Sequence, residues 1–230
     1  MAGASCFLEG GAIWWGGEWG RKDGFPGADG STITQEINNN AQTIPMYGAT
    51  GNELAEGSKE GLQLIDVTTS GVIGSDNTSF TYAIKNPLGF IYSTSDWYTN
   101  DTKYQNNNLW STLKSAYDPC PKGWQVPQNG IWSDFSTTTT LLYIQGIQST
   151  SGSYLYATNG RLYGGFAWYP LSGQRVSNIG TVSVIGSSGY SWSVTTTGTV
   201  AYALAYYLSD KVVDNVGRRA FGFPVRCVQE

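Results

Sequence analysis

Few side chains in this sequence can make or break bonds, and the gaps are informative. There is no histidine. The commonest acid–base group at neutral pH is therefore missing, and no Ser-His-Asp set can be assembled. Nucleophilic chemistry falls to three cysteines, Cys6, Cys120 and Cys227. A reactive thiol needs an activating neighbour. Lys122 is the nearest cation in sequence to Cys120, and the flanking Pro119 and Pro121 read as structural. Three cysteines without histidine argue against a zinc site. Gly16-Gly17 and Gly164-Gly165 are followed by no Gly-Lys-Ser/Thr, so neither is a phosphate loop. What the residues suit is binding. Near the carboxyl end, Ala201, Ala203, Ala205 and Tyr207, then Val213 to Arg218, put small or polar groups between fixed tryptophan, glycine, arginine and cysteine positions. Alternate residues of a strand share one face. The pattern therefore predicts a stiff frame carrying exchangeable outward groups, a binding protein rather than an enzyme.

Composition sets the limits on that frame. The chain has 230 residues, enough for a sizeable core, with 40% hydrophobic and only 13% charged residues. Nine Trp, 15 Tyr and 30 Gly predict a loop-rich fold pinned by buried aromatics. A net charge of −4 and the lack of any Lys/Arg run give no hold on nucleic acid or an acidic membrane. No apolar run approaches the length of a membrane span, so no membrane insertion is expected. Met1 to Cys6 does not read as a secretion signal. The chain is expected to be a domain cut from a longer protein or to be exported by another route, such as incorporation into a virion. A Cys120–Cys227 disulfide would close a loop of roughly 100 residues, worth about 4–5 kcal/mol on a chain-entropy basis. Whether it forms depends on the compartment.

The elements that must position these groups read as short strands and turns. Strands are expected at Phe80–Ile84, Leu141–Gln145, Ser153–Ala157, Gly165–Tyr169, Val182–Ile185, Tyr190–Thr195, Val200–Tyr207 and Phe221–Val228, with a β-branched run at Leu64–Thr68. A helical turn is expected at Leu109–Leu113 and a short helix over Asn129–Thr137, with Ile131, Trp132 and Phe135 on its apolar side. Asp118 to Trp124 holds two prolines and a glycine and must turn. Trp124, Trp132, Trp168 and Trp192 are assigned to the core. Arg219 and Arg226 are assigned to structural hydrogen bonds.

Three phrases carry a resemblance. They are Trp19-Gly20-Arg21-Lys22-Asp23-Gly24-Phe25-Pro26-Gly27; Tyr117-Asp118-Pro119-Cys120-Pro121-Lys122-Gly123-Trp124-Gln125-Val126-Pro127 followed by Trp132; and Tyr190-Ser191-Trp192-Ser193 with Gly222-Phe223-Pro224-Val225-Arg226-Cys227-Val228. Together they resemble the major paralogous domain named for Fibrobacter succinogenes, widespread in Bacteroidetes surface and fimbrillin-like proteins, over most of the chain from about residue 12. The resemblance implies an α+β, C-type lectin-like fold of the formylglycine-generating-enzyme branch, mostly short antiparallel strands with one or two helices. It implies one such domain over residues 1–230, with a loop-rich part over 1–80 and a variable region over about 174–220. Some members resemble the variable proteins of diversity-generating retroelements, in which codon rewriting near the C-terminus alters a ligand-binding face. Departures from the family pattern at Ser191, Val194, Ala203 and Ala205 fit such a face.

The expected ligand-binding face is then Ser191, Val194, Ala203, Ala205, Tyr207, Val213, Asp214, Asn215, Val216 and Arg218, over inner residues Trp192, Leu204, Phe221 and Phe223. The paired active-site cysteines of formylglycine-generating enzyme have no counterpart here. The carbohydrate triplets of calcium-dependent lectins (Glu-Pro-Asn or Gln-Pro-Asp with a later Trp-Asn-Asp) are also missing. Asp214 and Asn215 are the candidate calcium contacts of a lectin-like site. No cofactor is expected, with a structural calcium ion left open. The expected function is receptor recognition, through a cell-surface protein or glycan, on a phage tail or a bacterial surface. The alternatives are a structural fimbrial subunit without a diversified site and a degenerate enzyme relative. The sequence leaves the oligomeric state open.

Overall fold

The computed structural model describes residues 15–26, 35–36, 46–47, 50–54, 61–143, 155–156, 159–208 and 212–230. The strands begin with β1 (Trp15–Gly17), β2 (Phe25–Pro26), β3 (Gln35–Glu36), β4 (Met46–Tyr47), β5 (Glu53–Leu54) and β6 (Gln63–Asp66). A six-residue helix α1 (Phe80–Lys85) and β7 (Gly89–Tyr92) follow, then a single 3-10 turn at Thr102–Tyr104 and β8 (Trp124–Gln125). The second half holds β9 (Thr140–Tyr143), β10 (Leu155–Tyr156), β11 (Gly160–Tyr163), β12 (Ala167–Pro170), β13 (Gln174–Arg175) and β14 (Val182–Ser183). It closes with β15 (Ser188–Thr197), β16 (Val200–Tyr207), β17 (Val212–Arg218), β18 (Phe223–Pro224) and β19 (Val228–Gln229). The chain is thus β-rich, built of short and mostly antiparallel strands, as expected.

The longest sheet runs β15-β16-β17. Gly198, at φ 55°, supplies the left-handed residue of the two-residue hairpin that pairs Thr197 with Val200. The register slips between Trp192 and Thr196, and this bulge is where other segments dock. Val194 N donates to Pro127 O at 2.8 Å, Asn129 N donates to Thr195 Oγ1 at 3.0 Å, and the Trp19 indole N–H donates to Ser193 O at 2.9 Å.

Both faces of β16 are covered. Ala201, Ala203 and Ala205 pack with Trp19, Tyr190, Trp192, Val194 and Phe223 in the larger core. Leu204 and Tyr206 pack with Trp132, Phe135, Tyr169, Leu171 and Leu208 in a second one. Ala203 lies opposite Trp192, and Ala205 opposite Tyr190. The alanines are small because large rings fill the space beside them.

Four tryptophans, Trp19, Trp97, Trp110 and Trp192, are fully buried, and each indole N–H finds a carbonyl. Trp192 donates to Gly17 O at 2.9 Å, Trp97 to Trp19 O at 2.8 Å and Trp110 to Tyr117 O at 2.9 Å. The Trp192 and Trp19 bonds tie the residues around β1 to β15. β1 itself lies between β18 and β2. Cys120 and Cys227 form a disulfide with Cα atoms 5.8 Å apart, next to the pairing of β8 with β19.

Three expectations of local structure are corrected. Phe80–Ile84 is not a strand but most of α1. Its five residues are too few to separate a period of 2 from 3.6. Phe80 and Ala83 point inward one helical turn apart, with Phe80 edge-on to Tyr117 at 5.2 Å, while Ile84 is exposed. Asn129–Thr137 forms consecutive turns rather than a helix. Gly130 sits at φ 92°, and the Ser136 and Thr139 side chains bond one another and nearby backbone, competing with helical bonds. Leu109–Leu113 is likewise a bend, with Leu113 exposed.

Candidate recognition groove

Those turns matter because they build one wall of an open groove of about 740 Å³. The bulge of β15 anchors the turns through Pro127 and Asn129, so Ile131, Trp132, Asp134 and Phe135 are fixed against the central sheet. The β11–β12 hairpin forms the opposite wall. Its turn uses Gly164 at φ 59° and Gly165 at φ 80°, which leaves Phe166 standing at the rim, 68% exposed. β8, β19 and the residues before β19 supply Gln125, Arg226, Val228 and Gln229 along one side.

The floor is aromatic. Phe135 is its hub, stacked on Tyr163 (centroids 5.8 Å, planes 11° apart), edge-on to Tyr169 at 4.6 Å and tilted against Tyr206 at 5.6 Å. Tyr206 is buried and donates to Pro170 O at 2.9 Å, and burial raises its phenol far above the usual value. The Arg226 guanidinium lies 3.9 Å over the Tyr169 ring and donates to Trp168 O at 2.9 Å, the structural role expected for it. Arg219 also plays its expected part, donating to Gly198 O at 3.2 Å with Asp96 at 3.6 Å.

The edge of the groove is polar and mostly uncommitted. Asp134 accepts from the Tyr163 hydroxyl, and that bond holds the phenol above its ordinary value. The carboxamides of Gln125, Gln128 and Gln229 make no hydrogen bond to another described residue. Asn129 Oδ1 is buried and takes no hydrogen bond among the described residues. Water or a ligand must supply those partners.

The expected ligand face is largely elsewhere and largely inward. Ser191, Val194, Ala203 and Ala205 are buried, at 2%, 6%, 0% and 0% exposure. This is a correction: alternation along β16 separates two cores rather than core from solvent, so no swapped group at those four positions reaches a ligand from the surface. Tyr207 is half-buried against the larger core, and Asn215 is also half-buried. The side chains of Val213 and Asp214 lie outside the described residues. Val216 and Arg218 are exposed. Val216 pairs with Tyr202 and Arg218 with Val200, so both belong to the sheet face that carries Leu204 and Tyr206 behind the groove. Of the expected inner residues, Trp192, Leu204 and Phe223 are buried and Phe221 is half-buried.

Sequence reasoning assigned Trp132 and Phe135 to packing and missed Phe166 and the glutamines. The signal was present in Gly164-Gly165-Phe166, a tight turn that carries a large apolar side chain to its tip. Among the described residues there is no group of three His, Cys, Asp or Glu side chains placed to hold a metal ion, and no helix is long and apolar enough to cross a membrane. No protein-family model, no curated protein and no solved structure matches this chain.

Proposed function

We propose that this chain is a recognition protein that binds a ligand in the groove between the 127–135 turns and the β11–β12 hairpin and turns nothing over. One observation carries the reading. A concave site of about 740 Å³ is lined by Trp132, Phe135, Tyr163 and Tyr169 and leaves Phe166 exposed at its rim. Sites that combine an apolar concavity with a few convergent polar groups are the default binding sites of proteins. An exposed ring beside one supplies a rigid anchor at low entropic cost.

The frame we propose is the C-type lectin-like fold of the resemblance, carried on a phage tail or a bacterial surface. The retroelement-diversified face we propose comprises, among the described side chains, exposed Val216 and Arg218 with the half-exposed Asn215 and Tyr207. Sequencing of the locus tests that part. A nearby reverse transcriptase and a template repeat differing at adenines support it, and sibling copies that differ evenly along the chain sink it.

The groove is tested with fluorescently labelled protein on a panel of intact bacterial cells. Phe166→Asp is expected to weaken binding at least tenfold while the melting temperature stays within about 2 °C, because the side chain is exposed and surface changes cost little. Unchanged binding by both Phe166→Asp and Ile131→Asp overturns the groove as the site.

A further inference from the structure

We propose that the groove takes an uncharged oligosaccharide; this rests on the recognition reading and adds the ligand's chemical class. The first ground is the rings. Phe166 is exposed and Tyr163 is stacked on Phe135, so the groove offers flat apolar surfaces to the C–H face of a pyranose. The second is the free hydrogen-bonding capacity. Gln125, Gln128 and Gln229 hold carboxamides with no bond to another described residue. A carboxamide both donates and accepts, which matches a pair of neighbouring sugar hydroxyls. Asn129 Oδ1 adds a buried acceptor with no donor among the described residues, a deficit that a hydroxyl proton corrects.

The third ground is charge. The lining has one carboxylate, Asp134, and one guanidinium, Arg226. Arg226 is already engaged by Trp168 O and the Tyr169 ring. With no surplus of either sign, the groove has no electrostatic hold on a phosphate, an acidic sugar or a basic peptide. A lone carboxylate is also no ligand set for a divalent cation bridging protein to hydroxyls, so recognition is direct and independent of metal. An open trough with polar edges suits a chain of rings better than a compact apolar molecule, which would leave the glutamines unpaired.

The experiment uses the full 230-residue chain in affinity gel electrophoresis. The probes are uncharged polysaccharides (glucans, mannans, galactans, xylan), with uronic-acid polymers as the charged comparison. Retardation by at least one uncharged polymer is expected, unaltered by EDTA and weakened about tenfold by Phe166→Ala or Gln128→Ala. Retardation by acidic polymers alone, or by none, overturns the proposal. A second arm oxidises cell-surface vicinal diols with periodate before the cell-binding assay. If Phe166→Asp abolishes cell binding but periodate leaves it intact, the groove stands as the recognition site and the sugar class falls. If Phe166→Asp, Ile131→Asp and periodate all leave cell binding unaltered, both readings fall together.

Discussion

Glu18 and Asp96 show what single residues contribute through burial. Glu18 is wholly buried, and desolvation pushes its carboxyl from the usual 4.5 up to about 8 although Arg21 opposes the shift. Arg21 donates to Glu18 Oε2 at 2.7 Å, and Glu18 Oε1 has no partner among the described residues. Asp96 is pushed from 3.8 up to about 6, again by burial, with a backbone bond from Tyr98 and the charge of Arg219 opposing. Both raised values mean that the folded chain holds these protons more tightly than the unfolded one. Their contribution to stability is complete below the unfolded values and is lost as pH rises, through about 6 for Asp96 and about 8 for Glu18. The melting temperature is expected to fall between pH 5 and pH 9. Glu18→Gln is expected to flatten the alkaline part of that fall. A wild-type melting temperature that climbs from pH 6 to 9 contradicts this account.

At the scale of elements, β16 separates what local pattern can and cannot tell. Its limits, Val200 and Tyr207, are legible in the sequence, because alternating small and large residues after a Gly-Thr turn leave little choice. Its outward face was not legible. Whether Ala203 meets water depends on Trp192 and Phe223 above it, and Leu204 is covered by Trp132 and Phe135 from a segment about seventy residues earlier. No window along the strand contains that information. The same limit explains the 129–137 turns, where an apolar spacing suited to a helix loses to Gly130 and the Ser136 and Thr139 hydroxyls. The groove was hidden for the same reason, since its walls come from three distant stretches of chain. A paired substitution measures the correction. Ala203→Tyr is expected to cost about 1–3 kcal/mol through overpacking, whereas Val216→Tyr, on an exposed site, is expected to stay within about 0.5 kcal/mol. Urea unfolding of the two variants decides, and equal tolerance would restore Ala203 to the surface.

Over the whole molecule, long-range ties do most of the work. The Cys120–Cys227 bond joins residues 107 apart in sequence, and its two halves could be read from the Pro-Cys-Pro turn and the Arg-Cys-Val ending. Replacing both cysteines with alanine is expected to remove about 2–5 kcal/mol, seen as a lower urea midpoint with a steeper slope, because the unfolded chain expands once the crosslink is gone. No loss of stability in that variant would mean the crosslink closes a loop already held shut by β8, β19 and the core. The aromatic ties were less legible. The tryptophans announce burial, but nothing nearby says that Trp192 reaches Gly17 or that Trp19 reaches Ser193.

Those two indole bonds span 175 and 174 residues, and this sets a timetable. A ribosome adding roughly 5–20 residues per second delivers the partners of the 17–19 segment about ten to thirty-five seconds after the segment itself. Through that interval the ring of Trp19, one of the largest in the sequence, lacks its Ser193 partner. The nascent chain must keep it from straying, by a chaperone's grip or by sheer brevity of exposure, until residue 193 has been added.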